Sequence, residues 1–385
     1  MKKTLQLLAS LWAVLWGVAY AETGSGTGVG WGALNLPVGV TPDSHDIHDL
    51  HMTILWICVG IGVLVYGILI YSLIHHRKSK GVEPAKFHEN TKLEIVWTII
   101  PFLILIAMAI PATKVMIKVY DTSASDMTIK VTGYQWKWRY EYLTDGAGKG
   151  IDFFSSLDAK SNEARQLGSK IDPTTVEHYL LNVDHPLVIP ANKKVRVLLT
   201  AADVLHAWWV PEFGWKKDAI PGFVTDGWIK VEAPGVYRGQ CAELCGRDHG
   251  FMPIVVVVKT EEDFNKWVEE QNTSQLASKV DSSKPLTKDE LIAKGKEVYA
   301  ANCAACHMPE GEGVQGGFPA IKGSKVATGS LAEHVKLVIN GKAAMPAFKD
   351  QLNDVEIAAV VDYQRNGFGN NKGDSIQPAE IQAYK

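Results

Sequence analysis

The chain is poor in cysteine and carries almost no excess of charge of either sign. Five cysteines in 385 residues are too few for a scaffold held together by disulfide bonds. The 39 basic and 42 acidic residues leave a formal net charge of −3, so we expect no nucleic-acid partner. The apolar content of 46% is sufficient for buried cores, and the length favours two to three domains.

The first 21 residues have the features of a secretory signal peptide. Lys2 and Lys3 are followed by an apolar run from Leu5 to Val18, and the segment ends in the small-residue pattern Ala19-Tyr20-Ala21. We expect residues 1–21 to be a signal peptide. An uncleaved anchor helix is the alternative, although the run is short for a membrane span.

Two longer apolar runs predict a transmembrane helix hairpin over residues 45–117. Residues 52–74 contain no charged side chain, and neither do residues 95–113, which are interrupted by Pro101 and Pro111. Each run is long enough to cross a hydrocarbon core about 30 Å thick.

The loop between the two runs sets the predicted orientation. Cations outnumber carboxylates there: the cations are Arg77, Lys78, Lys80, Lys86 and Lys92, and the carboxylates are Glu83 and Glu89. Short basic loops remain on the cytoplasmic side of a membrane. We therefore expect a two-span protein of a bacterial plasma membrane, with all later domains on the periplasmic side.

Residues 118–260 have the pattern of an all-β domain. In the segment 134–142 the aromatic side chains alternate with charged ones, which predicts one half-buried strand with an aromatic face. Further β-rich runs follow at 195–200, 228–232 and 253–258, separated by turn signals. The pattern predicts a sandwich or small barrel. Residues 143–178 are polar and irregular, and no element is assigned to them.

A group of soft metal ligands lies in this domain. Cys241, Cys245, His249 and Met252 occur within twelve residues, and His206 lies upstream. Thiolate, imidazole and thioether ligands favour copper. A mononuclear blue site needs one cysteine, whereas two thiolates can bridge two coppers with Met252 and a carbonyl near Glu243 as weak axial ligands. A disulfide or a zinc site is the alternative.

These motifs resemble subunit II of cytochrome c oxidase over about residues 45–260. The resemblance rests on the hairpin and on the segments YQWKWRYEY, VLHAWWVPEFG, DAIPG and CAELCGRDHGFM. It implies a cupredoxin-like Greek-key barrel around a binuclear copper centre. The implied ligands are His206, Cys241, the carbonyl of Glu243, Cys245, His249 and Met252.

The resemblance also implies three further roles. Trp136 matches a tryptophan through which electrons reach the copper, Glu94 matches a glutamate at a proton-uptake mouth, and the Glu243 carboxylate matches a ligand of Mg²⁺ at the contact with subunit I. From the residues alone, Trp136 is simply part of an aromatic face, and Glu94 is a carboxylate favoured at a helix N-terminus. The chain departs from the family before Asp203, where Leu-Thr-Ala-Ala lacks an acidic residue of the patch that docks soluble cytochrome c.

Residues 261–286 are polar and predict a helix followed by a flexible linker.

In residues 287–370, Thr287 and Glu290 fit a capping box that opens a helix. The helix runs into Cys303-Ala-Ala-Cys306-His307, the attachment pattern of c-type haem, in which both thiols form thioethers and the histidine binds iron. Met345 is the candidate for the second axial ligand.

The segment 287–370 resembles small class I cytochromes c, which implies an all-α domain with covalent haem c. His334 is a weak competitor of Met345 for the iron, and a solvated helix position is the simpler interpretation. Residues 371–385 are expected to be a frayed tail.

Together the resemblances imply the electron-accepting subunit of a cytochrome c oxidase from the cytochrome-c-fused branch. Electrons from cytochrome c, or from another periplasmic or membrane-bound donor, would reach haem c, then the copper centre, then haem in subunit I. Oxygen reduction and proton pumping belong to that partner, and subunit III is a further expected partner. The alternatives are a subunit of a nitric or nitrous oxide reductase, or a membrane-tethered carrier without a catalytic partner.

Overall fold

A computed structural model describes residues 35–84, 86–143, 148–166, 168–281, 284–343 and 345–385. The predicted signal peptide, residues 1–21, lies outside the described residues.

Two long apolar helices open the described chain. Helix α1 spans Pro42–His75 and helix α2 spans Thr91–Val119, and the most apolar window of each has a mean hydropathy of 2.5 with its side chains exposed. Apolar side chains exposed over such a length are stable in lipid rather than in water. Helix α1 includes the predicted span 52–74 and helix α2 the predicted span 95–113, each extended by further helical turns.

The outer ends of both helices are fixed to the β domain. Thr41 caps α1 and donates its hydroxyl hydrogen to the carbonyl oxygen of Phe213 at 2.9 Å. The indole nitrogen of Trp228 donates to the carbonyl oxygen of Lys118 near the end of α2 at 3.2 Å. These hydrogen bonds set the position of the β domain relative to the helix hairpin.

In the part of the chain that the structure describes, ten strands form two five-stranded sheets. The strands are β1 (Met127–Tyr134), β2 (Lys137–Tyr142), β3 (Asp152–Ser155), β4 (Leu187–Pro190), β5 (Val195–Ala201), β6 (His206–Val210), β7 (Trp215–Ala219), β8 (Thr225–Ile229), β9 (Gly235–Cys241) and β10 (Pro253–Lys259). One sheet has the order β3-β2-β1-β5-β8, and the other has the order β4-β10-β9-β6-β7. The pairs β1–β5 and β4–β10 are parallel.

The two sheets enclose a core of alternating inward side chains. Trp138, Tyr140 and Trp208 are fully buried in it, together with aliphatic residues of β1, β5 and β10. A sandwich with an apolar interior is the result expected from period-two alternation. The predicted all-β architecture is confirmed.

The aromatic segment 134–142 is a hairpin rather than one strand. Tyr134 pairs with Lys137 across a two-residue turn formed by Gln135 and Trp136. The alternation of the sequence continues through this turn, so it does not reveal the reversal of the chain. Trp136 therefore lies at the tip of the hairpin and not on the aromatic face.

The unassigned residues 143–178 contain β3 and the short helix α3 (Ala159–Ala164), which Asp158 caps. After β10, helix α4 covers Glu261–Asp281. Its first turns pack on the sandwich through Phe264 and Val268, which belong to the same buried cluster as the strands. Most of the predicted linker is thus helical, and its beginning is anchored.

The C-terminal part of the chain is helical. Its helices are α5 (Lys288–Asn302), α6 (Ala304–His307), α7 (Leu331–Asn340), α8 (Asp354–Asn366) and α9 (Pro378–Ile381). Thr287 and Glu290 form the predicted capping box of α5. Helices α5 and α8 cross at Gly295, where a Cβ atom would lie 2.0 Å from the carbonyl oxygen of Ala359.

The end of the chain differs from the expected frayed tail. Ile376 and Ile381 are buried in the same cluster as the apolar face of α8. Asp362 accepts a hydrogen bond from the backbone nitrogen of Ile376 at 3.0 Å. Two apolar side chains and a buried hydrogen bond are enough to order a short terminal segment.

Candidate metal and haem sites

The copper candidates lie at one end of the second sheet. Cys241 is the last residue of β9, and the loop from 242 to 252 carries the other candidates before β10 begins. His206 is the first residue of β6, which pairs with β9 through Trp208 and Cys241. Strand pairing thus brings the upstream histidine beside the loop.

The structure brings together all six groups predicted as copper ligands. The sulfur atoms of Cys241 and Cys245 are 3.9 Å apart. Around them lie His206 Nδ1 at 3.9 Å and the Glu243 carbonyl oxygen at 3.3 Å from Cys241 Sγ, and His249 Nδ1 at 3.5 Å and Met252 Sδ at 3.4 Å from Cys245 Sγ.

The two cysteines are free thiols in this arrangement. Their separation is nearly twice the sulfur–sulfur bond length of about 2 Å in a disulfide. Each sulfur has one imidazole nitrogen and one weak donor beside it, which is the donor set that two bridged copper ions require. The residues present therefore fit a copper centre.

The electrostatics of the pair favour one thiolate before any metal binds. The close approach of the two thiols, with a hydrogen bond between their sulfur atoms, lowers the pKa of Cys241 well below its usual range. The same interaction raises the pKa of Cys245, because a second negative charge beside the first is unfavourable. Binding of a cation would release the remaining proton.

A different set of groups surrounds the haem-attachment pattern. Cys303, at the N-cap of α6, and Cys306, the third residue of this helix, are free thiols. The Nδ1 atom of the buried His307 lies 2.7 Å from the carbonyl oxygen of Pro319. This hydrogen bond fixes the tautomer and leaves Nε2 free for a metal ion. Met345 packs against the edge of the buried apolar cluster of the C-terminal helices, to which Cys303 also belongs. The residues present fit covalent haem.

His334 is not in the solvated position expected for it. It is 3% exposed, and its Nε2 atom lies 2.8 Å from Gln364 Oε1. Burial lowers the pKa of His334 to about 4, so the imidazole is neutral. Gln364 on α8 thus holds Nε2 of His334, whereas the buried Nδ1 has no hydrogen-bond partner among the described residues.

Comparisons with known families divide the chain in the same way. The model described as "Cytochrome C oxidase subunit II, transmembrane domain" matches residues 29–115, and "Cytochrome C oxidase subunit II, periplasmic domain" matches 127–259. The model "Cytochrome C oxidase, cbb3-type, subunit III" matches residues 290–363.

Individual relatives carry the same name. A "Probable cytochrome c oxidase subunit 2" of Rickettsia bellii is 40% identical over 60% of this chain and 81% of its own length. The chain belongs to the cytochrome c oxidase subunit II family. "Cytochrome c oxidase subunit 2" of Cereibacter sphaeroides is 35% identical over 62% of this chain and 80% of its own length. The solved periplasmic domain of subunit II from Bradyrhizobium japonicum is 40% identical over 40% of this chain and 98% of its own, with a TM-score of 0.34.

Membership of the cytochrome c oxidase subunit II family confirms the predicted fold class. The β domain is the cupredoxin-like domain, and the family match implies a copper centre in it. The C-terminal match implies haem c. The chain is a subunit of an oxidase complex and works with the other subunits of that enzyme.

Trp136 contacts the loop 242–252, called the copper loop from here on because it carries most of the copper candidates. Its indole nitrogen donates to the carbonyl oxygen of Cys245 at 3.2 Å, and the side-chain amide of Gln135 donates to the same oxygen at 2.9 Å. Glu94 lies far from these groups, in the first turn of α2, where the chain leaves the basic loop.

Sequence reasoning missed one side chain that positions His206 and another that holds the copper loop. Asp203 Oδ1 lies 2.9 Å from His206 Nε2, so Nδ1 faces the cysteines. Although burial of the ring opposes protonation, Asp203 and Cys241 together raise the pKa of His206. Arg165, one residue beyond α3, pairs with the buried Asp248 at 2.9 Å. The only sequence signal was the acid three residues before His206.

Proposed function

We propose that this chain is the electron-accepting subunit of a cytochrome c oxidase in a bacterial plasma membrane, with its copper and haem domains on the periplasmic side. Electrons from cytochrome c or another donor would be passed to haem in subunit I, where oxygen is reduced to water with proton pumping. The observation that carries the proposal is the convergence of six copper-donor groups in a chain that also holds a haem-attachment segment. Haem and copper would supply reversible one-electron carriers.

The copper centre is proposed to be binuclear. Cys241 and Cys245 would bridge two ions, with His206 and His249 as strong ligands and the Glu243 carbonyl and Met252 as weak ones. Because the two sulfurs are buried and every donor group is already adjacent to one of them, the protein needs little rearrangement between redox states.

The haem group is proposed to be attached through Cys303 and Cys306. His307 would bind iron through Nε2, since Pro319 holds Nδ1. Met345 is the proposed second axial ligand, and methionine–histidine ligation raises the reduction potential.

Three further roles follow the family pattern. We propose Trp136 as the contact through which electrons approach the copper loop, supported by its hydrogen bond to the Cys245 carbonyl. We propose Glu94 for proton uptake on the cytoplasmic side. Glu243 is exposed on the loop, and its carboxylate is the proposed Mg²⁺ ligand at the contact with subunit I. Subunit III completes the proposed assembly.

The ratio of copper to haem in the purified complex tests the proposal. We expect two coppers of the subunit II type per covalent haem c, after subtraction of the copper in subunit I. Replacement of either bridging cysteine, by Cys241→Ser or Cys245→Ser, should remove both coppers because each sulfur serves both ions.

Cys58→Ser is the matched control, since Cys58 lies exposed in the membrane helix α1 and should leave the ratio unchanged. One copper per haem in the unmodified chain would contradict a binuclear centre. Oxygen uptake by the same preparation would separate an oxidase from a nitric or nitrous oxide reductase.

A further inference from the structure

A lysine on the outer face of the copper domain is buried by the haem domain. Lys137 is the first residue of β2 and belongs to the polar face of the hairpin, yet it is only 5% exposed. Its ammonium group donates to Asn302 Oδ1 at 2.6 Å, and Asn302 directly precedes the first haem-attachment cysteine. The contact therefore joins two segments that are 165 residues apart.

Aromatic rings from both domains enclose the same ammonium group. Its nitrogen lies 4.6 Å from the ring centre of Phe154 on β3 and 6.0 Å from that of Phe348 in the haem domain. A buried cation is costly unless it has partners of this kind. A lysine buried in this way indicates that the two domains exclude solvent from the contact between them.

A second cation of the copper domain lies at the rim of this contact. Arg247, two residues after Cys245, donates from Nη1 to the carbonyl oxygen of Ala305 at 2.7 Å, and its Nη2 lies 3.8 Å from Met308 Sδ. Asn162 donates its side-chain amide to the carbonyl oxygen of Ala300 at 3.4 Å.

All of these acceptors lie within residues 300–308, at the ends of α5 and α6. Two of them, the carbonyl oxygens of Ala300 and Ala305, are backbone groups near helix ends, where carbonyls lack a partner within the helix and carry partial negative charge; the other two are side-chain atoms of Asn302 and Met308. The donors that reach them come from separate segments of the copper domain. The donors on the copper domain therefore match the acceptors on the haem domain in position.

We propose that Lys137 and Arg247 form a docking clamp that holds the haem domain of the same chain against the copper domain. The haem-attachment segment is then fixed beside the copper loop, because Arg247 spans the distance from that loop to Ala305. The clamp rests on the proposed function and deepens it: because the haem domain covers Lys137, the residue after Trp136, an external donor has to deliver its electrons to the haem domain.

Chemical labelling of amines in the full-length, copper- and haem-loaded complex tests the clamp. Lys137 should resist an amine-reactive ester, whereas Lys130 on the neighbouring strand, with a side chain 34% exposed, should be labelled. Labelling of Lys137 in the unmodified chain at the rate of Lys130 would overturn the proposal.

Variants on both sides of the contact sharpen this test. Arg247→Gln with Asn302→Leu should increase the labelling of Lys137 at least about tenfold, because each removes a hydrogen bond made by a charged donor. Arg196→Gln is the control: it removes an arginine paired with Asp226 on another edge of the sheet and should change nothing. Only preparations with unchanged copper and haem content are compared, and unchanged protection in the double variant would overturn the clamp.

Electron transfer from the haem domain to the copper centre is the second readout. Lys137→Met and Asn302→Leu should each slow it, and the pair together should slow it no more than one alone, since both break the same contact. Additive effects would contradict the contact. Protection of Lys137 that falls on dilution would mean that the haem domain of a second copy fills the site.

The outcome is separable from that of the proposed function. A copper-to-haem ratio of two with an unprotected Lys137 would refute the clamp alone. A protected Lys137 with a single copper would refute the binuclear centre and leave the clamp in place.

Discussion

At the scale of the single residue, Asp203 is the side chain on which the orientation of His206 depends. Its carboxylate holds His206 Nε2 and also accepts the backbone N–H of Gln135 at 2.8 Å. Partners of this kind fix the tautomer of a metal ligand, and their loss typically weakens metal binding about 10–100-fold. We therefore expect Asp203→Asn to weaken copper binding by about this factor, measured by competition with a copper chelator.

Asp152→Asn is the matched control for this substitution. Asp152 pairs with Arg139 on the surface of the same domain, so its loss removes the same charge without touching the copper loop. Equal copper affinity in Asp203→Asn and in the unmodified chain would show that the hydrogen bond does not position His206.

The residues that the sequence reveals are those whose chemistry is local. Cys245, His249 and Met252 lie on the loop that begins directly after Cys241, and Cys303 and His307 share one turn, so spacing alone exposes them. Asp203, Arg165 and Lys137 act through partners that only the fold brings near. The burial of His334 likewise depends on Gln364, thirty residues later on another helix.

At the scale of the element, periodicity predicts whether a segment is a helix or a strand better than it predicts the residues at which that element begins and ends. The long helices and the strands at 195–200 and 253–258 were found because their apolar patterns extend over several residues. The hairpin at Gln135 and Trp136 was missed, because a two-residue turn leaves the alternation of side chains intact.

The crossing of α5 and α8 provides the prediction at this scale. We expect Gly295→Ala to destabilise the haem domain by about 1–3 kcal/mol, because the new methyl group would overlap the backbone of Ala359. The gain of about 1 kcal/mol in helix propensity when alanine replaces glycine offsets only part of the overpacking cost, because the Cβ atom would lie 2.0 Å from the carbonyl oxygen of Ala359, so the net change stays destabilising. Denaturant unfolding of the loaded chain, followed by haem absorbance, measures the change.

Ala293→Ser is the control for the crossing, since Ala293 is exposed on the same helix and gains one heavy atom there. A Gly295→Ala variant as stable as the unmodified chain would mean that α5 and α8 can separate without loss of packing.

At the scale of the whole molecule, the order of the parts followed from the sequence but their contact did not. The basic loop, the metal-ligand loop and the haem segment place each domain along the chain. The polar face of β2 gave no sign that a second domain covers it, because Lys137 there has the character of an ordinary solvated lysine. Only the fold reveals that this position is closed.

The haem domain could be held near the copper domain by the linker alone or by the contacts of the clamp, and a longer linker separates these two cases. If the linker alone holds it, docking depends on linker length, whereas docking through the clamp depends on the contacts between the two surfaces. Lengthening a flexible loop costs about 0.6 kcal/mol per doubling, so ten glycine and serine residues inserted between Lys284 and Pro285 should weaken docking by about fivefold at most. Labelling of Lys137 should therefore rise by no more than this factor.

The same insertion combined with Asn302→Leu and Arg247→Gln provides the comparison. In that background the haem domain has lost its contacts as well as its short tether, so Lys137 should be labelled as fast as Lys130. If the insertion alone already brings Lys137 to the rate of Lys130, the linker rather than the clamp holds the domains together. If it does not, the position of the haem domain is encoded in the two surfaces that meet.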